Sequence, residues 1–170
     1  MKSSGSYKYV LDANAFYAGL PFLSSTKCYT TSLVFEEVRH LKGSYSLLEI
    51  LVEADNLRIV DPDEKYANEV YSVTIQSGDY SKLSKADISV LALAYQLGKT
   101  LISDDFAVEN TAKLLGISIR PLTTKGIKHT RKWISFCWTC GKGYGPNITE
   151  CLICGNRLKR RSNKRLRHFE

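Results

Sequence analysis

Residues 84–120 read SKADISVLALAYQLGKTLISDDFAVENTAKLLGISIR, and the alternation inside this stretch decides the fold class. The apolar spacing predicts a helix over 86–97, closed by Gly98 where a left-handed C-cap suits glycine. A short strand over 100–103 follows, then Asp104 and Asp105, a helix over 106–115 closed by Gly116, and a strand over 117–120. Working outward, 7–11 (YKYVL) and 57–60 read as further strands, and 32–41, 44–54 and 64–76 as helices, the first of these closed by Gly43. Strands alternating with helices predict an α/β sandwich around a mostly parallel sheet.

Composition agrees with a folded chain. Its 170 residues are 44% hydrophobic and 11% aromatic, which argues against wholesale disorder, collagen-like repeats and a disulfide knot. No stretch approaches the roughly 18 apolar residues that span a bilayer. Asp12 interrupts the N-terminal region where a signal peptide needs an unbroken apolar core, so the expectation is a protein that stays inside the cell. Five cysteines, four of them in two close pairs, argue for metal in a reducing compartment rather than disulfides.

The net charge of +7 hides two objects. Residues 1–122 carry 12 Lys and Arg against 15 Asp and Glu, net −3; residues 123–170 carry 12 against 2, net +10. A mildly acidic front suits an ordinary globular domain, and a basic back suits a polyanion, most often nucleic acid. The texture changes at the same place, giving a front domain over 1–122, a linker over 123–135, a cysteine module over 136–157 and a basic tail over 158–170.

In parallel α/β folds the crevice lies beyond the carboxyl ends of the strands. Asp12 follows the first strand, and Asp104 and Asp105 follow LIS at 101–103. Glu36 and Glu37 lie in TTSLVFEEVRHL, and Asp87 opens the helix of 86–97. Each acid also has a plain structural reading. Asp12, Asp104 or Asp105 can cap a helix, Ser84 to Asp87 has the form of a capping box, and Glu36 and Glu37 suit a solvated face. As a set they say more, because four carboxylates in one cleft repel one another unless cations sit among them. All-oxygen ligands suit Mg2+ or Mn2+, which can activate water and stabilise a leaving oxygen at a phosphodiester.

The order VLDAN (10–14), TSLVFEEV (31–38), SKADISVLALA (84–94) and LISDDF (101–106) resembles the PIN nuclease family, over essentially residues 7–122. That resemblance implies a three-layer fold and a metal-dependent, single-strand-directed ribonuclease. It places the catalytic acids at Asp12, Glu37, Asp87 and Asp105, with Glu36 and Asp104 as their neighbouring alternatives.

The back of the chain carries Cys137-Trp-Thr-Cys140-Gly and Cys151-Leu-Ile-Cys154-Gly, ten residues apart. Each CxxC turn sets two thiolates on one side of a tight loop, and two turns make a closed four-sulfur zinc site that builds structure without chemistry. The connection, with Gly143, Gly145 and Pro146, suits a hairpin; a redox dithiol and an iron centre are the rival readings. Trp133, Phe136, Trp138 and Tyr144 interleave with Lys125, Lys128, Arg131, Lys132 and Lys142, and Arg157, Lys159, Arg160 and Arg161 follow. Such a mixture can stack bases and neutralise phosphates, while at least one Trp is expected in the module's own core. Cys28 reads as a small buried residue, and His40, His129 and His168 have no ligand-like spacing.

A PIN-like domain, a linker, a zinc ribbon and a basic tail together resemble the Nob-type endonucleases of ribosome assembly, in a compact form. The resemblance implies Mn2+ or Mg2+ in the cleft, the immature small ribosomal subunit as partner, and cleavage at the 3′ end of small-subunit precursor rRNA. Two other functions stay open at this point. One is a toxin-like or quality-control ribonuclease acting on tRNA or mRNA; the other is an rRNA-binding assembly factor with inert carboxylates.

Overall fold

The computed structural model describes residues 6–23, 25–40, 45–122 and 130–162. Its larger sheet has five parallel strands: β1 (Tyr9–Leu11), β2 (Cys28–Thr30), β3 (Leu57–Ile59), β4 (Thr100–Ile102) and β5 (Ile119–Arg120), in the order 3-2-1-4-5. The helices are α1 (Ala13–Tyr17), α2 (Leu20–Leu23), α3 (Ser32–Val38), α4 (Tyr45–Glu53), α5 (Glu64–Ser77), α6 (Lys85–Leu97) and α7 (Phe106–Leu114). A 3-10 turn over Tyr80–Lys82 precedes α6.

The expected alternation is borne out with shorter strands. α3 ends at Val38, short of the expected 41, and residues 41–44, including Gly43, lie outside the described residues. β2 and α2 were not expected. β2 is three residues long and shows no usable periodicity; its place comes from hydrogen bonding to β1 and β3, which local sequence does not record. β4 pairs with the other edge of β1, so the strand order turns between β1 and β4. That reversal is where a crevice opens in this class of sheet.

α6 is the central helix. Ala86 and the run Ser89 to Ala94 are buried, and the helix packs against α3, α5 and α7 and against β1 and β4. A helix buried nearly all round must be apolar nearly all round, and alternating Leu with Ala lets neighbours approach on several sides. Its ends are firmly closed. Ser84 and Asp87 form the expected capping box, and Gly98 takes the left-handed C-cap at φ 60°.

The back module is a three-stranded antiparallel sheet of β6 (Trp133–Phe136), β7 (Gly143–Tyr144) and β8 (Lys159–Ser162), ordered 7-6-8. It reaches past the expected bounds of 136–157 at both ends. β6 begins within the stretch read as linker, and β8 lies in the stretch read as tail, where pairing with β6 gives the basic residues a defined register.

This module is docked on the front domain through a polar joint beside the α5 C-terminus. Buried Asp79 accepts hydrogen bonds from Asn110 Nδ2 (2.6 Å) and Ser77 Oγ (3.0 Å), and pairs with Arg160 at 2.9 Å. Asn110 in turn exchanges bonds with the Arg131 backbone, accepting from its N–H at 2.7 Å and donating to its carbonyl at 2.9 Å. Arg160 also donates to the Gly78 carbonyl. Gly78 sits at φ 79°, and a Cβ there would come within 2.5 Å of the Pro146 side chain, so glycine is required for conformation and for space.

Candidate active site and cysteine centre

Asp12 leaves β1 into the crevice and is 2% exposed. One carboxylate oxygen accepts from the Ala13 N–H at 2.7 Å, capping α1, and the other accepts from Ser103 Oγ at 2.6 Å. Ser103 follows β4, so this bond closes the crevice floor across the β1–β4 junction. Burial pushes the Asp12 carboxyl up to about 6; the Ser103 bond pulls the other way, and the negative charges of Asp87 and Asp105 add to the rise. Asp12 therefore lies within the fields of Asp87 and Asp105, although the three come from separated segments.

Asp105 caps α7, one oxygen accepting from the N–H groups of Ala107 (2.6 Å) and Val108 (3.1 Å), and its own N–H donates to Ser103 Oγ. Asp87 accepts from the Ser84 N–H at 2.7 Å through one oxygen. The second oxygen of each of these acids has no hydrogen-bond partner among the described residues. The structural and the functional readings of these acids are therefore compatible, because a carboxylate has two oxygens.

The adjacent pairs separate clearly. Glu37 accepts from Tyr17 Oη at 3.1 Å, and Tyr17 also feels the charge of Asp12, which puts Glu37 on the crevice side. Glu36 pairs with Arg39 at 2.9 Å on the exposed face of α3. Asp104 accepts from the Leu122 N–H at 2.7 Å, fastening the end of the front domain.

Three residues had no sequence signal for a role here: Tyr17, Thr31 and Ser89. Thr31 caps α3 and its hydroxyl meets that of Ser89 at 2.7 Å, fixing the helix of Glu37 against the helix of Asp87. A hydroxyl beside a strand-end acid, as in LISDD, is the one sequence feature that points toward Ser103.

The four cysteines converge more tightly. All four Sγ atoms lie within 4.8 Å of one another, with Cys137–Cys154 at 3.5 Å and Cys140–Cys151 at 3.4 Å. A disulfide would need about 2.05 Å. A tetrahedral zinc with bonds of about 2.3 Å separates its sulfurs by about 3.8 Å, which the cluster approaches. The Tyr144 hydroxyl, 3.1 Å away, draws the Cys151 thiol down to about 6, and the Cys140 backbone N–H lowers Cys137. Both effects favour thiolates at Cys151 and Cys137, whereas Cys140, sharing a proton with Cys151, is held up, so without an ion the four do not all ionise together. The cluster can therefore bind a metal ion. Cys28 stands apart, buried, its thiol pushed up to about 11 by desolvation.

Among the basic residues expected at the RNA, Lys125 and Lys128 lie outside the described residues. Arg131, Lys132, Lys142, Arg157, Lys159, Arg160 and Arg161 are all exposed. Three consecutive cations of β8 lie over aromatic rings of the same module: Lys159 over Trp138 (5.6 Å), Arg160 over Trp133 (4.3 Å) and Arg161 over Phe136 (5.1 Å). Trp133 is half-buried at the joint with the front domain rather than in a core of the module alone, and Trp138 is 72% exposed.

Among the described residues no helix is long and apolar enough to cross a membrane. A family model described as "PIN domain of ribonuclease" matches residues 9–97. The chain is 36% identical over 154 residues to "Endoribonuclease Nob1" of Pyrococcus abyssi, covering 89% of this chain and 92% of that protein. It is 30% identical over 158 residues to "Ribonuclease VapC1" of Thermoplasma acidophilum, covering 92% and 79%. It is also 36% identical over 78 residues to "20S-pre-rRNA D-site endonuclease NOB1" of Saccharomyces cerevisiae, covering 46% of this chain and 17% of the yeast protein. A PIN match over half of the chain, together with a Nob1 relative similar along almost its whole length, means that this chain belongs to the PIN-domain ribonucleases of the Nob1 endoribonuclease family.

Proposed function

We propose that this chain is a divalent-metal-dependent endoribonuclease that cuts precursor small-subunit rRNA at its 3′ end during ribosome maturation. The observation that carries this reading is the crevice beyond β1 and β4, where buried Asp12 lies within the fields of Asp87 and Asp105. A cation among these acids removes the repulsion that burial otherwise makes costly. The name of the yeast relative supports the choice of precursor rRNA as substrate.

Asp12, Glu37, Asp87 and Asp105 would hold Mn2+ or Mg2+, hard ions that prefer carboxylate oxygens. When bound, such an ion supplies positive charge to the phosphodiester oxygens and lowers the pKa of water. The protein's part is to present the acids already oriented. Ser103 and the Ala13 N–H hold Asp12, Tyr17 holds Glu37, and the capping bonds hold Asp87 and Asp105. Hydrolysis adds water across the P–O3′ bond and leaves a 5′-phosphate and a 3′-hydroxyl.

In the back module, Cys137, Cys140, Cys151 and Cys154 would hold one structural Zn2+, making it a zinc ribbon. Four protein ligands leave that ion no open position. Its exposed cations, with Lys125 and Lys128, would bring the immature small subunit to an acidic crevice that repels RNA by itself. The expected setting is the cytoplasm.

The test is to map cleavage of a precursor fragment spanning the 3′ end of the small-subunit rRNA, with and without Mn2+. A cut at the mature end that requires Mn2+ and is lost in Asp12→Asn is expected. Wild-type cleavage by Asp12→Asn would overturn the assignment of the site. Cuts only in tRNA or mRNA would move the substrate to the quality-control alternative, and tight binding without cleavage under any divalent ion would make the chain an assembly factor.

A further inference from the structure

Docking of the back module forms a cavity of about 520 Å³ whose wall includes Asp105, one of the acids assigned to the crevice. Two aromatic surfaces face it. One is Phe106, the first residue of α7, 61% exposed although large and apolar. The other is Trp133 of β6, held by the Arg160 guanidinium at 4.3 Å, which Asp79 fixes in turn. Lys82 and Arg131 stand at the same cavity, and their side chains have no ion-pair partner among the described residues. The acids of the crevice need no ring next to them, and folding gives no reason to leave Phe106 in water beside Asp105.

We propose that this cavity receives one unpaired nucleotide of the RNA substrate immediately beside the cut, its base against Phe106 and the Trp133 wall and its flanking phosphates near Lys82 and Arg131. The inference rests on the ribonuclease reading above and adds to it the place where one nucleotide of the single strand is held, between the two domains. The volume falls within the range of about 300–1,000 Å³ common for small-ligand sites, so a base with its sugar fits. Aromatic rings stack any base by its face, and two unpaired cations beside an apolar wall complement a phosphate-linked base. The site exists only when the two domains are docked, because Phe106 comes from one and Trp133 from the other. Docking through Asp79 and Asn110 would thereby set how far from the acids an RNA strand is held.

The chain has two tryptophans, so Trp138→Phe leaves Trp133 as the single emitter in the full-length protein. The probe is an oligoadenylate of about ten nucleotides, within the site sizes of single-strand grooves, with a duplex RNA of equal length beside it. Quenching of Trp133 by the single strand and not by the duplex is expected, and Phe106→Ala in the same background should weaken binding about ten-fold. Phe106 is largely exposed, so its truncation leaves the core intact. Unchanged Trp133 emission on saturating single strand, equal quenching by duplex, or full binding and cleavage by Phe106→Ala would each overturn the proposal. These outcomes are separable from the ribonuclease reading. Junction cleavage untouched by Phe106→Ala removes the cavity and keeps the enzyme, whereas quenching without cleavage keeps the cavity and removes the enzyme.

Discussion

The acid crevice and the cysteine cluster are both places where like charges gather, yet they are supported in opposite ways. The crevice stands on a five-stranded sheet and on α6, whose apolar side chains are buried without any ion. Its acids are fixed by caps and hydroxyls, and a metal would serve chemistry. The cysteine module has two buried cysteines, short strands and few buried apolar side chains of its own, with Leu152 and Ile153 exposed between the second pair. A piece so small needs an ion in order to fold. Proteins can therefore use metal to create structure where the core is too small, and to complete reactivity where the core is ample.

The largest effect expected from this contrast is on the back module. Cys137→Ser should abolish its folded state, since structural zinc contributes on the order of 10–16 kcal/mol in isolated modules. Two-dimensional NMR should show β6–β8 resonances collapsing while those of the front domain persist. Loss of both sets together would mean that the two regions fold as one unit.

The next effect is on the crevice. Asp12→Asn should lower cleavage by at least about a hundred-fold while RNA affinity changes little, because a group that acts in the transition state changes rate and not binding. The same variant reports on pH. The folded-state pKa of Asp12 is raised from 3.8 to about 6, so its protonated form favours folding. That contribution is fully present below about pH 4 and is lost as pH rises through about 6, a change of up to about 3 kcal/mol without metal. Metal-free Asp12→Asn should therefore be more stable than the wild type at pH 7.5 and equal to it at pH 4. Thermal melts at both pH values check the sign, and added Mn2+ should stabilise only the wild type.

A smaller effect tests the joint. Gly78→Ala meets both a left-handed φ and the Pro146 side chain, and left-handed backbone alone costs about 1–2 kcal/mol at a residue with a Cβ. The two domains should separate, raising the radius of gyration in small-angle scattering while each keeps its fold. The smallest effect is at the adjacent glutamates. Glu36→Ala breaks an exposed pair with Arg39 worth about 0.5 kcal/mol and should leave cleavage unchanged, whereas Glu37→Gln should reduce it. Equal loss in both variants would show that the Tyr17 bond does not distinguish them.

Some of the site was legible because its information is local. Capping by Asp12 and Asp105 is written in the one to three residues that follow each acid, and the capping box of Asp87 in Ser84 three residues before it. The CxxC turns likewise carry their own geometry. Others were less so: the resemblance favours Glu37 over its neighbour Glu36, and the contact that sets Glu37 apart, from Tyr17 twenty residues earlier, is not written locally. The sequence reading also left Arg160 as one basic residue among several, because its partner Asp79 lies 81 positions away.

By itself, then, the sequence determined the alternation of strands and helices, the two close cysteine pairs, and the division into an acidic front and a basic back. These follow from period, caps and spacing, which act over a few residues. Only the tertiary structure decided the strand order, with β4 on the far edge of β1 so that the sheet turns between them at Asp12. It also decided how the back module meets the front and which partners the acids take, Tyr17 at Glu37 and Leu122 at Asp104. Those outcomes depend on hydrogen bonds and packing between segments far apart in the chain, where the energy belongs to the pair and neither partner's neighbourhood records it.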